Sequence, residues 1–170
     1  TYAANKIIQN DLVDYVCRGE GEGAVVEMAN ALCAGGRIDQ IKNCLVKGDG
    51  NIFKNNMRPP IDIDSVPIPD WDLFEPGSLY RPMQGKIWRA VGFETQRGCP
   101  YTCTFSNSPS NNVEYKAETG GKFHRKKSIK RMKKELDFLV KKYDPNLIYF
   151  VVDTFLAMSN REFDELKELY

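Results

Sequence analysis

Residues 147–152, Leu-Ile-Tyr-Phe-Val-Val, form an unbroken apolar run, and the patterns before them dictate how it is used. A strand buried on both faces reads as a continuous apolar run, as in a parallel sheet covered on two sides. Directly upstream, residues 128–143 place Ile129, Met132, Leu136, Leu139, Val140 and Tyr143 on one helical face, and Asp144-Pro145 ends that helix. Further upstream, "IWRAVGFET" at 87–95 reads as a strand. Strand, helix and strand make one βαβ unit, expected to cross over right-handed. A last helix begins near Ser159, whose spacing to Glu162 is that of a capping box. Residues 107–122 are polar and contain glycine, and read as a long loop.

The amino-terminal part has a different texture. "DLVDYVCRG" reads as a short buried strand centred on Tyr15 to Cys17, and "GEGEG" turns the chain. "AVVEMANALC" follows as a helix with Val25, Met28, Ala29 and Leu32 on one face, stopped by Gly35-Gly36. This resembles the tail of an α/β layer. "CLVKGDGNIFKN" reads as a hairpin around Gly48-Asp49-Gly50. Then come Pro59, Pro60, Pro67 and Pro69. Proline cannot donate to a strand ladder, so residues 58–72 are expected to be extended and poor in regular structure. A domain boundary is expected here: 1–57 before a connector of 58–86, and 87–170 after it.

Composition narrows the class. With 42% hydrophobic and 28% charged residues, the chain has a globular balance. No apolar run approaches the ~20 residues of a membrane span. The net charge of +1 argues against whole-surface attraction to nucleic acid or anionic lipid. The first residues have no signal-peptide pattern and no initiator methionine, so the chain reads as a cytoplasmic fragment. Five cysteines, an odd number, point to thiols or metal ligands rather than disulfides.

The chemistry concentrates in "GCPYTCTFSNSP", residues 98–109. It follows the strand 87–95 at its carboxyl end, where α/β folds collect their sites. Cys99 and Cys103 are four apart, and Ser106 stands three further on, where a third cysteine would complete a cluster spacing. Closely spaced thiolates on a short loop suit an iron–sulfur cluster. Two cysteines alone fit equally a pair of buried thiols in a tight loop.

In its surroundings, "ETQRGCPYTCTFSNSP" resembles the C-x-x-x-C-x-x-C loop of the radical S-adenosylmethionine (SAM) superfamily, closest to members with an amino-terminal cobalamin-binding domain. "RGEGE" at Arg18 to Glu22, "PDWDLF" at Pro69 to Phe74 and "TQRGCPYTCTF" at Thr95 to Phe105 occur in the order seen in that subgroup. The resemblance implies an α/β chain: the end of a cobalamin-type Rossmann domain, a connector, and the first βα units of a radical SAM partial TIM barrel. It implies Cys99 and Cys103 as ligands of a 4Fe-4S cluster, with Ser106 at the position of the missing third cysteine. It implies Phe105 beside the adenine of SAM, and Asp153 beside its amino group, where a carboxylate suits an ammonium. The residues by themselves also fit core packing for Phe105 and a helix-start or loop carboxylate for Asp153. Cys99, Cys103 and Ser106 are expected to converge at the carboxyl end of strand 87–95, beside Asp153.

The resemblance also implies the reaction. A reduced cluster cleaves SAM, and the 5′-deoxyadenosyl radical abstracts hydrogen from a small-molecule substrate. Cobalamin would direct methyl transfer or rearrangement, and a flavodoxin or ferredoxin would supply electrons. Two positions depart from the pattern: Ser106, and Val152 where relatives often carry a second aspartate. A serine oxygen is a hard donor and a poor iron ligand in a sulfur cluster. Three origins fit these changes: a degenerate homologue, an error in the sequence, or a deliberate ligand removal. The alternatives to the enzyme are accordingly a non-catalytic homologue without a stable cluster, and an RNA-modifying or RNA-binding module.

That last alternative rests on Lys122, Arg125, Lys126, Lys127, Lys130, Arg131, Lys133 and Lys134, a basic run that otherwise reads as a solvated helix face. Cys17, Cys33 and Cys44 are too widely separated for a metal loop and read as small buried side chains. His124 is the only histidine, which excludes a multi-histidine metal site within these residues. Gly19, Gly21 and Gly23 do not match G-x-G-x-x-G and read as a turn into the helix.

Overall fold

The computed structural model describes residues 3–155 and 157–168. The chain forms two compact units that alternate along the sequence: Thr1–Ile61 with Tyr101–Phe123, and Asp62–Pro100 with His124–Tyr170. Pro59 and Pro60 lie just before the division at Ile61. The segment Tyr101–Phe123, which includes Cys103 and Ser106 of the cysteine loop, groups with the amino-terminal residues.

In the first unit, α1 (Ala4–Ile7) precedes an antiparallel sheet of β1 (Tyr15–Cys17), β2 (Cys44–Gly48) and β3 (Asn51–Lys54), in that order. Asp49 and Gly50 both take positive φ, 49° and 73°, as a two-residue hairpin turn with right-handed strand twist demands. β2 is the centre because it is apolar on both faces. Cys44 and Val46 pack with Ala24, Met28 and Ile41, while Leu45 packs on the opposite side with Ala4 and Ile8. β1 therefore pairs antiparallel with the hairpin, Cys17 opposite Cys44.

Helix α2 (Glu22–Cys33) buries Ala24 and Met28, and leaves Val25 and Leu32 61% and 59% exposed. The buried stripe thus differs from the one expected. The three-residue β1 leaves a sheet wide enough to cover only one i, i+4 row of the helix. The larger correction is α3 (Ser108–Thr119), a helix where the sequence reads as a long loop. Pro109 sits in its first turn, and Gly120 closes it in the left-handed conformation at φ 68°. Its apolar content is too low to announce it. Long-range partners hold it: Arg18 donates to Glu114 and Glu118, and Tyr115 is buried.

In the second unit, β4 (Tyr80–Met83) and β5 (Lys86–Phe93) form a hairpin through Gln84 and Gly85, both at positive φ. β6 (Gln96–Arg97) pairs antiparallel with β7 (Arg125–Lys126). Helix α4 (Ile129–Tyr143) leads to β8 (Leu147–Phe150), which pairs parallel with β5 from Ala90–Leu147 to Phe93–Phe150. The expected strand–helix–strand order is present. Met132, Leu136, Leu139 and Tyr143 of α4 pack on Val91 and Phe93, joined by Leu166 of α5 (Asn160–Lys167). Val140 is half exposed, so it lies off the buried stripe. β8 is not covered on both sides among the described residues: its Tyr149 is 42% exposed, and Val151 just past it 54%.

Glu135 lies on the apolar face of α4 with no exposed surface. A carboxylate is tolerated there only when paired. Lys127 Nζ donates to it at 2.9 and 3.1 Å, and Arg131 Nε at 3.2 Å. The connector behaves as its prolines require, with no α-helix or strand between Arg58 and Trp71. It is strapped to α4 instead. Asp64 accepts the Ser128 N–H, Arg131 donates to the carbonyls of Asp64 and Val66, and the Tyr143 hydroxyl accepts the Trp71 N–H.

The capping box on α5 is present as expected: Glu162 accepts from the Ser159 N–H at 2.7 Å, and Ser159 Oγ accepts from the Glu162 N–H at 3.3 Å. Hydrogen bonding from Lys126, then from Ser159, holds the Glu162 carboxyl down at about 2, against an ordinary value of 4.5. A depressed carboxylate pKa contributes stability that is complete above the unfolded value and is lost as pH falls through the folded one. The contact between Lys126 and α5 is expected to weaken from about pH 4.5 downward toward pH 2. Hydrogen exchange of the α5 amides against pH checks this, and Glu162→Gln should flatten the dependence.

Candidate functional site at the carboxyl edge of the parallel strands

Because β5 and β8 are parallel, the chain leaves both by the same edge. Val151 N–H donates to the Phe93 carbonyl at 2.9 Å, continuing the ladder one step past the strands. From there one branch runs through Thr95 and Gln96, both buried, to Cys99, and the other runs to Asp153. The Thr95 carbonyl accepts the Lys127 N–H at 2.8 Å, fixing the start of the loop. Gly98 takes φ 74°, a left-handed turn that a side chain would strain. That turn delivers Cys99, which is half-buried.

On the other side of the loop, Cys103 is exposed and its carbonyl accepts the Ser106 N–H at 3.2 Å, closing a tight turn. Ser106 Oγ accepts the N–H of Ser108, the first residue of α3, at 3.2 Å. Phe105 is 92% exposed among the described residues. Asp153 is exposed and lies six residues before the Ser159 cap, so it does not start a helix. Cys99 and Asp153 belong to the second unit, and Cys103, Phe105 and Ser106 to the first. Their convergence on one pocket is therefore a matter of proposal.

His124 also reaches this edge, with Nε2 3.4 Å from Gln96 Oε1. Burial, then the charge of Lys126, lowers its pKa from 6.5, while Glu162 and Asp153 act in the opposite sense. These effects together favour the neutral ring over the charged one. Among the described residues, no three side chains of His, Cys, Asp or Glu stand together as a metal site. The donor set explains why a cluster is not complete. Cys99 and Cys103 offer two soft thiols, but the third position offers a hydroxyl that already accepts a backbone hydrogen bond. The residues present do not make the three-thiolate set of a 4Fe-4S cluster with one open iron.

The remaining cysteines divide. Cys44 is fully buried, and burial pushes its thiol up to about 11. Burial also raises Cys17. Cys33, expected to be buried, is exposed at the end of α2, beyond the reach of the short sheet. The basic run is not a simple solvated face either. Lys127 and Arg131 are spent on Glu135, Lys126 on Glu162 and Lys133 on Asp137. Sequence reading missed Arg18 as part of the loop's support. Its partners lie 96 and 100 residues away, and only the "RGEGE" motif marked it.

No family model matches the chain. It is 33% identical over 153 residues to an uncharacterized methyltransferase of Pyrococcus horikoshii, covering 89% of this chain and 31% of that protein. It is 29% identical over 166 residues to the anaerobic magnesium-protoporphyrin IX monomethyl ester cyclase of Rubrivivax gelatinosus, covering 92% of this chain and 27% of the cyclase. The chain thus spans about a third or less of the curated relatives it matches. Among solved structures, the cobalamin-dependent SAM radical enzyme OxsB matches with TM-score 0.67 at 21% identity, over 97% of this chain and 22% of that one. The radical SAM methyltransferase TsrM from Kitasatospora setae, solved with cobalamin and a [4Fe-4S] cluster bound, matches with TM-score 0.54 at 17% identity, over 96% of this chain and 30% of that one.

The thiolate is the reactive form of cysteine, so exposure and pKa together set alkylation order. At pH 7.5, in the folded chain, iodoacetamide is expected to label Cys33 and Cys103 first and Cys44 last. Mass spectrometry over time checks the order, and early labelling of Cys44 would contradict the buried β2 core.

Proposed function

We propose that this chain, which has the fold of the cobalamin-dependent radical SAM enzymes over nearly its whole length, is a segment of such an enzyme. In this reading residues 1–57 close a cobalamin-binding domain, 58–86 connect, and 87–170 open the SAM-binding barrel. The observation that carries it is the parallel β5–β8 pair, which sends the cysteine loop and Asp153 out of the sheet by one edge. Methyl transfer or rearrangement on a small molecule is the reaction class, drawn from relatives named as a methyltransferase and a cyclase. A small electron-transfer protein such as flavodoxin or ferredoxin would be the reductant, and the cytoplasm the compartment. Among the described residues, no helix is long and apolar enough to cross a membrane.

The chain's own residues have definite parts in this reading. Gly98 turns the backbone so that Cys99 follows the strand edge. Cys99 and Cys103, four residues apart, present two soft donors from one short loop. The exposed ring of Phe105 offers a flat apolar face to a base, and Asp153 a carboxylate to an ammonium. Partly buried His124, whose pKa is lowered chiefly by burial, adds a hydrogen-bonding group beside Gln96. No SAM-cleavage step is assigned to the sequence with Ser106, because two thiols do not complete the ligand set.

The experiment is anaerobic reconstitution of the full-length protein with Ser106 and with Ser106→Cys, followed by iron, sulfide and 5′-deoxyadenosine assays. The Ser106 form is expected to hold substoichiometric iron or a two-iron species. Ser106→Cys should approach a full four-iron cluster and gain SAM cleavage. Equal four-iron content in both forms would remove Ser106 as the vacated ligand position. A second reading, a scaffold that has lost the cluster, is favoured by the Ser106 Oγ contact to Ser108, which gives the hydroxyl a structural task. Failure of both forms to bind iron would support it. Nucleic-acid binding is the weaker reading, because Lys126, Lys127, Arg131 and Lys133 are engaged in ion pairs.

A further inference from the structure

We infer that Arg18 is a positioning residue for the cysteine loop: its buried guanidinium clamps the helix that leaves the loop, and thereby fixes Cys103 and Ser106. The inference rests on reading residues 99–106 as a metal loop. Arg18 directly follows β1 and is 3% exposed. Nη1 donates to Glu114 Oε1 at 3.1 Å and to Glu118 Oε1 at 2.8 Å. Nη2 donates to Glu118 Oε2 at 3.0 Å and to the Asn55 carbonyl at 3.1 Å. Glu118 Oε2 also accepts the Met57 N–H at 3.4 Å. One guanidinium therefore ties α3 to β1 and to the chain that leaves β3. The paired contact to Glu118 uses the planar fork that lysine lacks.

The next residue adds a steric lock. Gly19 takes φ 73°, and a side chain there would collide with the hydroxyl of Tyr115, which is 4% exposed on α3. The helix has little else to hold it. Only Ser108 and Tyr115 are buried, and Val113 is 70% exposed. A twelve-residue helix of this composition is marginal on its own. Its first residue is joined to the loop by the Ser108 N–H to Ser106 Oγ bond, and Ser106 to Cys103 by the turn. Displacing α3 therefore displaces the donor positions 103 and 106, while Cys99 leaves β6 under separate control. The "RGEGE" motif thus acts on the loop from more than eighty residues away in sequence.

The test uses cobalt(II) alone as the metal probe, in the reduced chain under anaerobic conditions. Thiolate-to-cobalt absorption reports the two thiols, and hydrogen exchange of amides 108–119 reports α3. Arg18→Lys is compared with Leu45→Ala, a core change between β2 and α1 that does not touch α3. The native chain should give a thiolate band that Cys103→Ser abolishes. Arg18→Lys should weaken cobalt binding and speed α3 exchange, each on the order of tenfold or more, as expected for breaking a buried ion pair. Leu45→Ala, which loosens the α1, β1 and β2 core without removing a partner of α3, should change both by less than Arg18→Lys does. Should Arg18→Lys not fold, Glu118→Gln, which keeps the side-chain shape, carries the same comparison. A native thiolate band with Arg18→Lys indistinguishable from Leu45→Ala overturns the positioning role alone. No thiolate band in the native chain overturns the metal-loop reading, and this inference with it.

Discussion

Four parallel residue pairs between β5 and β8, from Ala90–Leu147 to Phe93–Phe150, are the constraint on which the site depends. Parallel pairing obliges the chain to return across the sheet, and α4 is that return. The helix covers Val91 and Phe93 with Met132, Leu136, Leu139 and Tyr143. Removing a fully buried leucine such as Leu139 from such a face costs about 2–5 kcal/mol. With register and cover fixed, both strands release their chains at one edge. An antiparallel pairing would have sent Asp153 to the opposite edge from the cysteine loop.

Two buried ion-pair networks do for the helices what packing does for the strands. In one unit Glu135 is enclosed by Lys127 and Arg131, which ties the start of α4 to β7 and the connector. In the other, Arg18 is enclosed by Glu114 and Glu118, which ties α3 to β1. Pairing pulls Glu118 below the usual carboxylate range and holds Arg18 above the ordinary arginine value despite burial. Such networks add little net stability over apolar packing, yet losing one partner strands a buried charge at a cost of about 3–5 kcal/mol. They specify which surfaces meet. That suits a polar helix such as α3, which has almost no apolar face to direct it.

What could be read from the sequence follows from the same physics. α4, α5 and the hairpin of β2 and β3 were legible because their signals are local: an apolar stripe, a capping box, an Asp-Gly turn. The connector was legible because proline acts on its own backbone. Helix α3 was not, since Arg18 and Tyr115 act across long sequence separations and leave no periodic trace. The β4–β5 hairpin was not legible because residues 58–86 read together as a connector, and Pro82 in β4 supplies no ladder donor to announce a strand. The face of α2 was misplaced by one residue because the width of the sheet it covers is a tertiary property. At the site, Cys99, Cys103 and Ser106 stood out by their spacing, which is a local signal. The loop's support by Arg18, and the approach of His124 to Gln96, came only with the fold.

The proposed site needs two thiols from one short loop, Cys99 following Gly98 and β6 in the chain and Cys103 leading into α3. Its most direct measurement uses phenylarsine oxide, which bridges a pair of thiols only when they can meet at one arsenic. The reduced native chain would be treated and digested with trypsin, which cuts after Arg97 and Lys116 and so leaves Cys99 and Cys103 in one peptide. One arsenic on peptide 98–116, with both thiols consumed, is the expected result. An unmodified peptide 98–116, with arsenic found instead on Cys17 and Cys44, would contradict it.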